Sequence, residues 1–498
     1  MGRHDDGVSK VYGKRPHPLA EVEAGRTTRR DTASVLSWMQ TWLTSIMATP
    51  WPPGTLHTGG LSGPSRRPVP QGLDAMLLTR QIRAVVILPL TLCVLAGQGV
   101  SDDASRLIVA PNVETGRMGG VDLPVAEVLR EMHRSPYILH AADGRLSRVP
   151  VTRVRLPHSD GMNPQAVQVD VGPGGEIYVR QSEVFCKSID GGLTWSARRI
   201  AVPAEVKLGF RWKVLRDGTF ISVGCETGSV VESPAVVWAS RDEGVTWTRR
   251  AEISITDLPL RTGNPYVQRY VHRGLNRLRD DTLIWGIDVR DDPFVRGSVL
   301  YFFQSTDGGK TWRGPTMVRD RGASEGATVR LPSGRLFATM RMGYLMYDSD
   351  PLQLLKYTQK VAAAPFNGRH RIKNLFVMDS DDEGQTWNTP RLLTTVYGQT
   401  FGYPAALSDG TVVVIHDTRY GPGPAGSRAM VSRDEGKTWQ DEVYYLDFTR
   451  FTGSYTASVV LPGDTILTIA GSSQAGNTWE LVNGATDLFA IRWKPVKR

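Results

Sequence analysis

The chain has 498 residues, 3 cysteines and a formal net charge of +9. So few cysteines exclude a small disulfide scaffold, and none stands at a zinc-ligand spacing, so the sequence predicts neither a metal site nor a cofactor. Much of the positive excess lies in the first 96 residues. The remaining charge therefore gives no reason to expect a nucleic-acid partner.

Residues 1–75 combine basic clusters with Pro-Gly stretches and show no strand pattern. Only Asp31 to Met47 has helical periodicity, with Asp31 as its cap. We expect this segment to be a disordered extension or a spurious upstream sequence that the mature protein lacks.

Residues 76–96 carry the features of a secretory signal peptide. Arg80 and Arg83 precede an apolar run from Ala84 to Leu95, which is too short to span a bilayer comfortably. The sequence therefore predicts an exported protein, periplasmic or extracellular, with no stable membrane span. Lipid attachment at Cys93 is an alternative, although Leu92 stands where a small residue is expected.

Residues 97–148 are predicted to be a connector with a short helix from Val125 to His133 and a turn from Ala142 to Arg145. Cys186 and Cys225 follow the signal segment, and two cysteines of an exported protein can pair, although nothing in the pattern requires it.

One eight-residue pattern, S-x-D-x-G-x-T-W, recurs without mismatch between residues 188 and 439. Its five copies are Ser188–Trp195, Ser240–Trp247, Ser305–Trp312, Ser380–Trp387 and Ser432–Trp439. The Asp carboxylate accepts backbone N–H bonds, and Gly supplies the positive φ of a tight reversal. Each copy, here called an Asp box, therefore predicts a hairpin turn with a structural role.

A second repeated element, strand–turn–strand, precedes most boxes, as in Leu331 to Leu336 and Leu407 to Val412. Together the two elements give four antiparallel strands per repeat of about fifty residues, which is typical of a propeller blade. Residues 149–498 hold six such repeats, the last without a box. We predict an all-β, six-bladed β-propeller that closes by pairing Pro150 to Leu156 with Ala490 to Trp493.

Asp boxes in an exported six-bladed propeller resemble the sialidase (neuraminidase) superfamily and its BNR-repeat relatives, over roughly residues 150–493. The resemblance implies that the boxes lie at the blade periphery and that chemistry takes place on the inner strands.

Each repeat has a turn between its first two strands, here called its first turn. Aligning the repeats on these turns identifies two repeated positions near the predicted channel. Nine residues before the turn stand Glu325, Tyr455, His272 and Phe401, and seven residues after it stand Asp288, Arg341 and Asp417. Solvated channel lining is the structural alternative for such polar residues.

The resemblance implies a role for four of the polar residues. Tyr455 matches the nucleophile and Glu325 the partner that takes its proton, because a phenol needs a base near neutral pH. Arg341 and Arg428 match two of three arginines that bind the substrate carboxylate in bidentate fashion.

Two members of the family's pattern are missing. Gln165 stands near the place of the first arginine, and the usual aspartate acid before the first box is absent. We predict that Asp288 is the substitute acid, with Asp291 and Asp292 as alternatives. His272 is expected to hold a substrate hydroxyl or to share the role of the acid.

Three functions remain open from the sequence. The first is an exo-glycosidase that acts on terminal acidic sugars of the sialic acid type. The second is a non-catalytic propeller that binds glycan or protein, and the third is another hydrolase or lyase that uses His272 and nearby acids. The expected partner is a glycan or an acidic sugar, and the sequence predicts no oligomeric state.

Overall fold

The computed structural model describes residues 108–109, 136–158, 167–181, 183–209, 211–224, 234–255, 258, 268–270, 274–292, 297–348, 350–362, 368–418, 426–448, 456–473 and 486–497. Strands dominate these residues, and their one regular helix is the short 3-10 helix Leu352–Tyr357. The predicted helices at 31–47 and 125–133, and the predicted signal segment, lie outside the described residues.

The strands fall into six sheets, which are the six predicted blades. Four strands precede the first complete blade: β1 Ile108–Val109, β2 Tyr137–Ala142, β3 Arg145–Pro150 and β4 Thr152–Arg155. Blade one contains β5 Gln168–Val171, β6 Ile177–Gln181, β7 Val184–Ser188 and β8 Ser196–Arg199. Blade two contains β9 Trp212–Val214, β10 Phe220–Gly224, β11 Ala235–Ser240 and β12 Thr248–Ile253.

The remaining blades follow in chain order. Blade three contains β13 Gln268–Tyr270, β14 Leu275–Arg277, β15 Leu283–Asp292, β16 Gly297–Ser305 and β17 Arg313–Arg319. Blade four contains β18 Ala323–Arg330, β19 Leu336–Leu345, β20 Gln359–Lys360, β21 His370–Ser380 and β22 Arg391–Leu392. Blade five contains β23 Thr400–Ala406, β24 Val412–Thr418, β25 Gly426–Ser432 and β26 Glu442–Phe448, and blade six contains β27 Ala457–Leu461, β28 Thr465–Ser473 and β29 Thr486–Trp493.

The hydrophobic core lies between neighbouring blades, because each blade presents apolar side chains on its faces. One cluster joins Ile221 and Val237 of blade two to Trp285, Tyr301 and Phe303 of blade three. Similar clusters join the other pairs of neighbours. Blade stacking, rather than any helix, therefore buries the apolar surface that stabilises the described part of the chain.

The ring closes as predicted, by pairing of β4 with β29. Arg153 is opposite Ile491 and Arg155 is opposite Phe489 in this antiparallel ladder. Beside it, Arg153 Nη1 donates to Asp447 Oδ2 of blade five at 2.8 Å, and both side chains are almost completely buried. Burial lowers the pKa of Arg153, and the Asp447 carboxylate offsets part of that shift.

The segment predicted as a connector contributes to the propeller. Its strands β2 and β3 extend blade five outward from β26, and the predicted turn between them is confirmed, with Asp143 and Gly144 at positive φ. The reason lies in a buried side-chain contact that the strand pattern does not reveal. His140 Nε2 lies 3.0 Å from Glu442 Oε2, and the His140 ring stacks on Tyr444.

The Asp boxes form the predicted hairpin turns. Asp307 Oδ1 accepts the Lys310 and Thr311 amides at 3.0 and 2.9 Å, and its Oδ2 accepts the Thr311 hydroxyl at 2.6 Å. Gly308 and Gly309 have φ of 72° and 86°. The hydrogen bonds are internal to the turn, so they support its predicted structural role.

The fourth box position has a second role that the sequence did not reveal. It is occupied by Glu243, Glu383 and Glu435 in blades two, four and five, each at positive φ. Glu243 accepts hydrogen bonds from Tyr178 and Lys187 of blade one at 3.0 and 2.6 Å. Glu435 of blade five accepts the Ser333 amide of blade four at 2.9 Å, so Glu243 and Glu435 each join neighbouring blades.

Replacing Asp307 with Ala is expected to lower the free energy of unfolding by about 1 kcal/mol at pH 7, because turn donors lose their acceptor. Partial burial raises the pKa of Asp307, but hydrogen bonds from Thr311 and Ser305 outweigh it and lower the pKa to about 2. The carboxylate's contribution is complete above the unfolded pKa near 4 and is lost as the pH falls toward 2. Urea unfolding of the wild type and the variant at pH 7, and at acidic pH near 2, measures the difference in their free energies of unfolding.

The matched control for that variant is Asp381→Ala, an exposed aspartate of the fourth box at a position that the pattern does not specify. It is expected to unfold like the wild type. Loss of ligand binding by an Asp307→Ala protein of normal stability would instead place the boxes in the functional site.

Candidate functional site

Glu325 lies at the start of the innermost strand of blade four, in a β-bulge. Ser324 pairs with Arg341 and Ala327 with Thr339, so β18 holds one extra residue between these pairs. Glu325 has φ +54° and is buried. A non-glycine residue in this backbone region is uncommon, and such strain is concentrated at functional sites.

Phe401 has the same local geometry in blade five. Thr400 pairs with Asp417 and Tyr403 with Ile415, which again leaves one extra residue in the inner strand. Phe401 has φ +56° and is buried. The nine-residue offset that equates Glu325 with Phe401 is therefore confirmed for these two blades.

Arg341 of β19 contacts residues from both bulges. Its Nη1 lies 3.4 Å from Glu325 Oε1, and its Nε donates to Ser324 Oγ at 2.9 Å. The guanidinium carbon lies 5.5 Å from the centroid of the Phe401 ring, close enough for a cation–π interaction. The structure thus brings two predicted site residues, Glu325 and Arg341, into direct contact.

Arg428 lies on the third strand of blade five. It is opposite His416 of β24 and Tyr445 of β26. Its guanidinium carbon lies 5.0 Å from the centroid of the Tyr445 ring, and only 5% of the residue is exposed. Burial lowers the pKa of Arg428, and Tyr445 offsets part of the shift.

Asp288 lies on the second strand of blade three. It is opposite Tyr270 of β13 and Leu300 of β16, and it is buried. Asp291 and Asp292, the alternative acids, are the last two residues of the same strand.

Three predicted site residues lie outside the described residues. They are Tyr455, His272 and Gln165. Their roles therefore stay predictions.

Sequence reasoning missed two residues that hold Arg341. Ser324 carried no separate signal, because it directly precedes Glu325 in an otherwise ordinary strand. Phe401 occupied the repeated position, but an aromatic residue there was not assigned a role. The shared offset was the signal that pointed to it.

In the described part of the chain, no group of three or more His, Cys, Asp or Glu side chains is arranged to hold a metal ion. No described helix is long and apolar enough to cross a membrane. Cys186 is a free, buried thiol, and burial raises its pKa to about 11. Cys225, the other cysteine after the signal segment, lies outside the described residues.

Several solved structures are similar to this chain at low identity. A protein of unknown function from Dyadobacter fermentans has 16% identity and a TM-score of 0.44, over 69% of this chain and 97% of the other. An alpha-L-arabinanase from Penicillium chrysogenum has 16% identity and a TM-score of 0.43, over 68% and 97%. A sialidase from Trypanosoma rangeli has 13% identity and a TM-score of 0.37, over 70% and 55%.

A search of curated proteins found no matching sequence. The model of the BNR repeat-like domain matches residues 165–415, which include four of the five Asp boxes and the innermost strands of blades one to five. The match confirms the predicted BNR-type propeller. This chain belongs to the BNR repeat-like domain family.

Proposed function

We propose that this protein is an exo-glycosidase that hydrolyses terminal acidic sugars, with Tyr455 as nucleophile and Glu325 as its base. The observation that carries the proposal is the contact between Glu325 and Arg341 at the start of β18, where Glu325 has a positive φ. A base and an anion-binding group in one place are what such a reaction requires. The predicted signal peptide would direct the enzyme out of the cytoplasm.

In the proposed reaction the Glu325 carboxylate accepts the phenolic proton of Tyr455. Tyr455 oxygen then attacks the anomeric carbon, and the bond to the leaving oxygen breaks. The guanidinium of Arg341 binds the carboxylate of the sugar, which competes with Glu325 for it. In this scheme Asp288 donates the proton that the leaving oxygen takes up, and Arg428 adds a second positive charge. Water then gives a proton to the Asp288 carboxylate and attacks the anomeric carbon, the bond to the Tyr455 oxygen breaks, and that oxygen takes its proton back from Glu325.

A neutral terminal sugar is the second candidate substrate. Arg341 is already paired with a carboxylate at 3.4 Å, so the pair has no net charge. A sugar without a carboxylate would leave that pair intact, whereas an acidic sugar competes with Glu325 for the arginine.

Tyr455→Phe is expected to abolish turnover of an aryl sialoside while affinity for the free acidic sugar is retained, because only the nucleophilic oxygen is removed. Arg341→Ala is expected to lose the affinity itself. Fluorophore release measures turnover, and titration calorimetry measures affinity. Full turnover by Tyr455→Phe contradicts the assigned nucleophile, and binding without turnover by the wild type favours the non-catalytic propeller.

A further inference from the structure

A large cavity occupies the end of the channel at which the first two strands of each blade are connected. Its volume is about 930 Å³, and all six blades contribute to its wall. The Asp boxes share this face, since the Glu435 amide donates to the carbonyl of Gly410 in a first turn. Thr328 to Arg330 line the cavity, starting three residues beyond Glu325 or roughly 10 Å along β18. The cavity is therefore separate from the candidate catalytic residues.

Lys213 lines this cavity from the innermost strand of blade two. The residue is only 7% exposed, and its ammonium has one hydrogen bond, to the Val169 carbonyl at 3.4 Å. That distance is longer than an ordinary N–H···O bond. No carboxylate among the described residues lies within 4.0 Å of the ammonium. A buried ammonium without a counter-charge is costly, so the site favours an anion from solution.

Asp170, which follows Val169 and also lines the cavity, is occupied by other groups. Its Oδ2 accepts the Val214 amide at 2.8 Å, and its Oδ1 lies 3.4 Å from Arg277 Nη2. Arg277 also pairs with Asp281. Asp170 is therefore held by Arg277 and by the Val214 amide, and it forms no ion pair with Lys213.

Two arginines of the first turns add positive charge to the same wall. Arg216 follows Lys213 in blade two, and Arg279 lies in blade three. Each donates to a backbone carbonyl: Arg216 to that of Arg279, and Arg279 to that of Ala406 at 3.1 Å. Carbonyl oxygens do not neutralise a guanidinium. Asp464 of the same wall interacts electrostatically with Arg279 and offsets part of its charge, so Arg216 is the more available of the two to an anion. Arg330, by contrast, is paired with Glu383 at 2.6 Å.

We propose that this cavity is an anion site that binds a phosphate or sulfate group, with Lys213 as its buried cation and Arg216 and Arg279 at its wall. The cavity is much larger than one such ion and lies in the range of small-molecule pockets, so the group can be carried on a small molecule such as a sugar. The proposal is independent of the glycosidase activity, because it uses no residue of that site.

Titration calorimetry of the full chain with inorganic phosphate, at constant ionic strength set by chloride, tests the site. The wild type is expected to bind one phosphate with a Kd below 1 mM, and Lys213→Met to bind at least tenfold more weakly. Lys310→Met, on an exposed box lysine, is the matched control and should bind like the wild type. Absence of phosphate binding by the wild type, or unchanged binding by Lys213→Met, overturns the proposal.

The Arg341→Ala variant distinguishes phosphate binding at one end of the channel from binding at the other. Its result does not depend on whether Lys213→Met folds. It is expected to retain phosphate binding, whereas loss of binding would place the ion at the candidate catalytic site and overturn the proposal. A hexose 6-phosphate serves as the second ligand. Tighter binding of the hexose phosphate assigns the site to a phosphorylated sugar, and equal binding assigns it to the free ion; both results support an anion site that depends on Lys213.

Discussion

Glu325→Gln is expected to lower kcat for an aryl glycoside by about 10²–10⁴-fold, the usual contribution of a positioned base. The amide keeps the size of the side chain but cannot accept the phenolic proton of Tyr455. Affinity for the substrate is expected to change less than kcat, because Arg341 remains on Ser324 and Phe401. Steady-state kinetics with a fluorogenic glycoside measure both quantities.

Glu383→Gln is the matched control for Glu325→Gln. Glu383 is also a glutamate at positive φ in blade four, paired with an arginine, but it belongs to the Asp box. Its replacement is expected to leave kcat unchanged. A Glu325→Gln enzyme as active as this control would exclude Glu325 as the base.

Arg153→Met is expected to lower the free energy of unfolding by about 3–5 kcal/mol, the usual cost of leaving one partner of a buried ion pair alone. The variant leaves the Asp447 carboxylate buried without its guanidinium, next to the ladder that closes the ring. Urea unfolding monitored by tryptophan fluorescence measures the change.

Arg198→Met is the control, because Arg198 forms a solvent-exposed ion pair with Glu243. It is expected to cost at most about 1 kcal/mol. The double variant Arg153→Met/Asp447→Leu removes both buried charges and should recover much of the lost stability. If Arg153→Met unfolds like Arg198→Met, the buried pair does not stabilise the closure.

The architecture of the propeller was predictable because it is encoded locally and repeated. Each Asp box closes through hydrogen bonds within eight residues, as Asp307 does with Lys310 and Thr311. The first turns fix the register of the inner strands, so counting from them equated Glu325 with Phe401. The pairing of β4 with β29 followed from the need to close a six-bladed ring.

The contacts between distant parts of the chain were not predictable. The box glutamate Glu243 stabilises an adjacent blade through Tyr178 and Lys187, and nothing in the repeat specifies that partner. The pairing of His140 with Glu442 joins residues 302 positions apart. Likewise, the sequence placed Glu325 and Arg341 on one blade, but their ion pair depends on the bulge that lifts Glu325 out of the regular ladder.

The most direct test of a glycosidase site at the β18 bulge is fluorophore release from a panel of aryl glycosides. The panel includes aryl sialosides and neutral aryl arabinosides. We predict that the wild type releases fluorophore from at least one acidic glycoside and that Glu325→Gln, at equal folded concentration, releases none above background. No release from any glycoside by the wild type, or equal release by the two proteins, would contradict a glycosidase site at Glu325 and Arg341.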